Sequence, residues 1–188
     1  MGKYIYALIV IIFIWFAGSQ IYTNFFKTKE TAKTTRLACH KKSTTFEIIY
    51  DKKLISQAIK SIENGNVKTK YEMQFSKYMP SKMGQYFTIE QVDNDLQQIL
   101  KSYKKGDQNG SNTLLIDYFV YENDLGDPGK KTEEAKKYAG YIRMNFYLEN
   151  TKIYGVQIDF MDWQGKDIHE KLECAIESFM TIENQISN

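Results

Sequence analysis

The chain is poor in the residues that usually announce a chemistry. It has two prolines, two cysteines, two histidines and two tryptophans among 188 residues. So little proline, with only eleven glycines, excludes a low-complexity or disordered body. The two histidines are His40 and His169. His169-Glu170 has no second histidine on the same helical turn, so the zinc-protease pattern is missing. There is no G-x-S-x-G nucleophile elbow, no phosphate-binding P-loop and no dinucleotide glycine fingerprint. Asp124-Leu-Gly-Asp-Pro-Gly places carboxylates in a turn but misses the ligand spacing of a calcium loop. Scattered acids such as Asp159, Asp162 and Glu170 read as a solvated face. No catalytic, cofactor-binding or metal residue is assigned on this basis.

Charge is unevenly spread. Residues 27–42 carry Lys27, Lys29, Lys33, Arg36, Lys41 and Lys42 against Glu30 alone, so the remainder is acidic although the whole chain is formally +2. An acidic body argues against nucleic acid as a partner, because neutralising phosphates needs a positive surface.

One long apolar run stands out. Tyr4 to Phe16 reads YIYALIVIIFIWF without a charge, and apolar character resumes at Ile21, Tyr22, Phe25 and Phe26. As a helix, Tyr4 to Tyr22 would span roughly 28 Å, close to a hydrocarbon core of about 30 Å. Tyrosines near both ends suit the membrane interface. Residues 1–26 are therefore read as a transmembrane anchor or signal segment and 27–43 as a basic stem that meets lipid head groups. Residues 44–184 form a single extracytoplasmic domain in this reading. Two alternatives remain open: secretion after cleavage near Ser19, and a body facing the cytoplasm, which the positive-inside rule taken alone would favour.

Cys39 and Cys174 lie at the two ends of that body. An even count in an exported domain reads as a bridge. Closing so long a loop would stabilise the fold by roughly 3 to 5 kcal/mol in the chain-entropy model. A zinc site from Cys39, His40, His169 and Cys174 is the rival, disfavoured because paired thiols oxidise outside the cytoplasm.

The body reads as α+β: a mostly antiparallel sheet of four or five strands with helices packed on one face, preceded by the N-terminal hydrophobic helix. Strands are expected at 45–50, 66–75 and 113–122, and helices at 52–63 and 88–104. The second helix opens with a capping box, Thr88 with Gln91. A loop is expected at 78–86 and a short helical stretch at 132–138. The last helix carries an apolar stripe of Ile168, Leu172, Ala175, Ile176 and Phe179, with Cys174 on its flank.

Two strands precede it. Ile142, Met144, Phe146 and Leu148 alternate on one, and Tyr154, Val156, Ile158 and Phe160 on the other. A shared core face requires paired positions of even sum. A three-residue turn at Asn150-Thr151-Lys152 meets this by pairing Leu148 with Tyr154, Met144 with Ile158 and Ile142 with Phe160. Arg143 then faces Asp159, and Asn145 faces Gln157.

Fourteen tyrosines and eleven phenylalanines are more than one core needs. Tyr141, Arg143, Tyr147, Asp159, Met161 and Trp163 fall on or beside the non-core face of this hairpin, and most are of types enriched at protein interfaces. The competing expectation is that a further helix or the loop from Asn123 covers that face and makes it a second small core. The expected function is a non-enzymatic envelope protein-binding module, of the immunity, inhibitor or accessory-subunit kind. The alternatives are a small enzyme without a local motif, and a pilin-like subunit. The last shares the apolar helix and C-terminal cysteine but lacks a glutamate at the start of the run and a basic leader ending in glycine.

Overall fold

A computed structural model describes residues 37–106, 112–130 and 132–186. All lie within one compact unit, Thr34–Asn188. The apolar segment 1–26 and the stem as far as residue 36 fall outside the described residues. Among the described residues no helix is long and apolar enough to cross a membrane.

The body is α+β. Strands β1 (Thr45–Ile49), β2 (Val67–Gln74), β3 (Leu114–Glu122), β4 (Gly140–Leu148) and β5 (Thr151–Phe160) form one sheet in the order β1-β5-β4-β3-β2. Helices α1 (Ile55–Glu63), α2 (Ile89–Ser102) and α3 (Ile168–Ile186) complete the fold. The sheet is mixed. β1–β5, β5–β4 and β4–β3 are antiparallel, whereas β2 and β3 are parallel. The parallel pair follows from connectivity: α2 lies between β2 and β3 and returns the chain to the end where β2 began.

Each helix is anchored by its apolar stripe. Ile55, Ala58, Ile59 and Ile62 are buried on α1, and Val92, Leu96, Ile99 and Leu100 on α2. The capping box is present: Thr88 Oγ1 accepts from Gln91 N–H, and the Gln91 side chain accepts from Thr88 N–H. On α3 the whole expected stripe is buried, with Ile182 continuing it. These stripes meet the inward residues of β3, β4 and β5, and Phe146 stacks on Phe179 at 4.4 Å between centroids.

The hairpin joining β4 and β5 departs from expectation. Its turn has two residues, Glu149 (φ 49°) and Asn150 (φ 66°), the positive φ pair of a primed turn. Leu148 pairs with Thr151 and Tyr147 with Lys152. A bulge then restores the core parity, and Phe146 pairs with Tyr154, Met144 with Val156 and Ile142 with Ile158. Beyond the bulge, Phe146, Met144 and Ile142 each meet a β5 partner two positions earlier than expected, and Leu148 before it meets one three positions earlier. Arg143 therefore faces Gln157, Asn145 faces Gly155, and Asp159 faces Tyr141. The bulge leaves both Ile153 and Tyr154 buried.

Candidate interaction surfaces

Three places on this fold gather side chains that chemistry could use: the junction ahead of β1, the helix-free face of the sheet, and the loops at one end.

At the junction, a 3-10 turn at Cys39–Lys41 lies against α3. Cys39 and Cys174 are joined by a disulfide. The adjacent His40 ring is buried, with Nε2 at 2.6 Å from Ser178 Oγ and Nδ1 at 3.8 Å from Glu47 Oε2. The order Ser, His, Glu resembles a hydrolytic triad, but the protons run the wrong way. Ser178 has one hydroxyl proton, which it donates to Cys174 O at 2.8 Å. His40 Nε2 must therefore donate to Ser178 rather than take its proton. Cys39, His40 and Cys174 hold their ligand atoms within 4.8 Å of one another, but the sulfurs are bonded to each other. His169 lies elsewhere, exposed beside Asp95 of α2 at 3.5 Å. The junction is a staple.

The helix-free face places the expected interface residues in different surroundings. Arg143 is exposed and lines a shallow depression with Phe46, Ile48, Tyr50, Gly155 and Gln157. Phe46 is 60% exposed and Ile48 40%. Tyr50 lies under Lys152, whose ammonium is 4.6 Å from the ring centroid. Tyr147 is half-buried on the same face. Toward the other end, Tyr141 stacks on Tyr121 at 4.7 Å and meets Phe119 edge-on at 5.9 Å.

The loop that follows β3 closes over that second end. Lys130 sits 5.6 Å from the Tyr121 centroid and 6.0 Å from that of Tyr138, and Asn123 holds it by a hydrogen bond. Burial raises the Tyr141, Tyr121 and Tyr138 phenols above their ordinary value. Asp159 is buried here too. Burial pushes its carboxyl up, against hydrogen bonds from Gln157 and Thr44, and its Oδ1 has no partner. One half of the face is thus covered by the loop, and the half around Phe46, Ile48 and Arg143 is open.

The third place was not legible from sequence periodicity. β2, β3 and β5 all run toward one end of the sheet, where three loops emerge. Glu122 and Asp124 are buried at the end of β3. Glu122 accepts backbone N–H from Ser76, Lys82 and Met83 at 3.0, 2.8 and 3.0 Å. Burial alone would raise its carboxyl. Those bonds, with one from the Ser81 side chain, hold it below the usual range. Asp124 accepts from Lys77, Tyr78 and Gly126, and these bonds likewise outweigh desolvation and hold it low. Gly126 lets the loops touch, since a Cβ there would stand 2.6 Å from Tyr78 O.

The third loop is fastened by Asp167, which accepts from Met161 and Asp162 N–H. Gly165 (φ 75°) lies against the Phe87 ring, where a Cβ would stand at 2.5 Å. Together the loops enclose a hollow of about 290 Å³ lined by Met79, Pro80, Lys82, Tyr86, Leu125 and Trp163. Met161 is 48% exposed. Trp163 therefore belongs to the loop hollow and Arg143 to the open face.

No family model, curated protein or solved structure matches the chain.

Proposed function

We propose that this chain is a membrane-anchored or exported envelope protein whose body binds another protein and performs no catalysis of its own. It belongs with immunity proteins, inhibitors or accessory subunits in this reading. The observation that carries it is the open half of the sheet, where Phe46 and Ile48 are 60% and 40% exposed beside the exposed Arg143. Contiguous exposed apolar residues on a rigid strand are what a partner covers. Arg beside large apolar side chains is the composition of an interface centre. Two features support an extracytoplasmic body: the apolar run from Tyr4 to Phe16, and a disulfide that fastens the first described turn to the last helix.

The test is a photo-cross-linking amino acid placed singly at Ile48, at Arg143, and at the exposed Asn94 of α2 as a control, in cells that make the full chain. A discrete adduct of one mass at Ile48 and Arg143 but not at Asn94 is expected. The same smear at all three positions, or no adduct at any, would sink the reading.

A further inference from the structure

We propose that the loop end of the body docks on an anionic bilayer surface. This does not rest on the partner reading, since the hollow and the open sheet depression are lined by different residues.

The first observation is the kind of residue exposed there. Tyr78 is 63% exposed, Met161 48%, Tyr86 47%, Leu125 39% and Trp163 37%. Tyrosine and tryptophan have an apolar ring and a polar tip, the combination that settles at head-group depth. Methionine and leucine between them supply apolar surface for the acyl boundary.

The second is the direction of charge. Five acids of these loops accept backbone N–H groups, while Glu133 and Glu134, further along the loop after β3, are exposed, Glu133 paired with Lys136. Glu122 and Asp124 hold the first loop, Asp127 accepts from Gly129, Asp162 from Gln164, and Asp167 from Met161 and Asp162. Lys77, Lys82 and Lys166 are exposed. Around the hollow the outward surface is thus apolar and aromatic, and the exposed lysines beside it are complementary to anionic head groups.

The third is stiffness. The carboxylate clamps hold the loops in place before any contact, so docking needs little ordering of the chain. A surface that must collapse to shield its own apolar residues would not be braced in the open form.

The experiment uses the full chain carrying Trp15→Phe, which leaves Trp163 as the single tryptophan. It is reconstituted with vesicles of phosphatidylcholine alone, or of phosphatidylcholine with phosphatidylglycerol, each with brominated acyl chains that quench indole fluorescence. Quenching of Trp163 should be at least about twofold stronger with phosphatidylglycerol present. Lys77→Glu with Lys82→Glu should abolish the difference. Tyr78→Ser, a change at an exposed tip that leaves the clamps intact, should weaken quenching in both vesicles. A control carries Trp15→Phe, Trp163→Phe and Arg143→Trp, moving the reporter to the open sheet face. If Trp163 is quenched no more than this control in either vesicle, the proposal is overturned and the loop end is left to a protein partner. Equal quenching in both vesicles, unchanged by the lysine reversals, would overturn the anionic assignment.

Discussion

The Glu122 carboxylate accepts the Met83 backbone N–H at 3.0 Å, closing a gap of 39 positions in the chain. A buried acid at the end of β3 thereby sets the path of a loop that begins after β2. The interaction has a defined pH signature. The folded-state carboxyl is held below its ordinary range by hydrogen bonds. Its contribution is therefore present above the ordinary carboxylate range and lost as pH falls through the folded value. Glu122→Ala should destabilise the body by about 2 to 4 kcal/mol, since it leaves one buried and two part-buried N–H groups without their acceptor. Urea denaturation of Glu122→Ala and wild type at neutral and acidic pH should show the gap narrowing in acid. A gap independent of pH would remove the carboxylate from the account.

The second clamp joins the first described turn to α3. Cys39 and Cys174 are bonded, and His40 meets Ser178 one helical turn further on. Reduction, or Cys39→Ala with Cys174→Ala, should lower stability by roughly 3 to 5 kcal/mol. The fold should survive, because the α3 stripe and the His40–Ser178 hydrogen bond do not need the sulfurs. Denaturation with and without a dithiol reductant measures this, and an unmoved midpoint would show the bond to be idle. In intact cells a membrane-impermeant maleimide should label the cysteines only after reduction. Labelling confined to lysed cells would place the body in the cytoplasm.

Much of this fold is legible from local spacing. The stripes of α1 and α3, the Thr88–Gln91 box and the alternation on β3 to β5 are each written within a dozen residues. The cysteine pairing is readable because two cysteines allow only one intramolecular bridge. Three features escape such reading, each for a physical reason. The parallel β2–β3 pair depends on where α2 crosses, which strand patterns do not encode. The hairpin parity has two solutions, an odd turn or a two-residue turn with a bulge, and Glu149-Asn150 lacks the glycine that would have marked the second. The carboxylates of Glu122 and Asp124 act on backbone N–H groups about forty positions away, so no motif surrounds them. The expected interface was split for a related reason: strand alternation places Asp159 beside Arg143 but says nothing of the loop that covers it.

Asp159 offers a test of that covering. Burial raises its carboxyl above the ordinary value, so the folded state favours the protonated form. Stability from this group is therefore greatest below the unfolded value and is lost as pH rises to the folded one. Asp159→Asn keeps the shape without the charge. It should raise Tm at neutral pH, with the gain shrinking as pH falls through the carboxylate range. Thermal melts across pH measure this. A variant less stable than wild type at neutral pH would mean that the charged carboxylate is well satisfied, contrary to its partnerless Oδ1.

The β4–β5 turn yields the last prediction. Glu149 and Asn150 both adopt positive φ, 49° and 66°, a region that asparagine and aspartate tolerate better than other non-glycine residues. Replacing the pair by Asn-Gly should stabilise the body by roughly 1 kcal/mol, because that dipeptide is preorganised for a primed two-residue turn. Asn150→Val should do the reverse, since a β-branched residue resists the left-handed region. These opposite effects distinguish the observed turn from a three-residue turn at Asn150-Thr151-Lys152, in which Glu149 would end a strand and gain nothing from Asn. The bulge sharpens the contrast. With a two-residue turn, Ile153 is the extra residue that restores core parity, and both it and Tyr154 are buried. Deleting Ile153 would join Lys152 directly to Tyr154 and remove the bulge, leaving Phe146 opposite Tyr154 and the residues Tyr154, Val156 and Ile158 still facing the helices. That deletion should therefore keep the fold and cost roughly 2 to 4 kcal/mol for the lost Ile153 side chain, whereas the Asn-Gly exchange strengthens it. Denaturation midpoints of the three variants measure the difference directly.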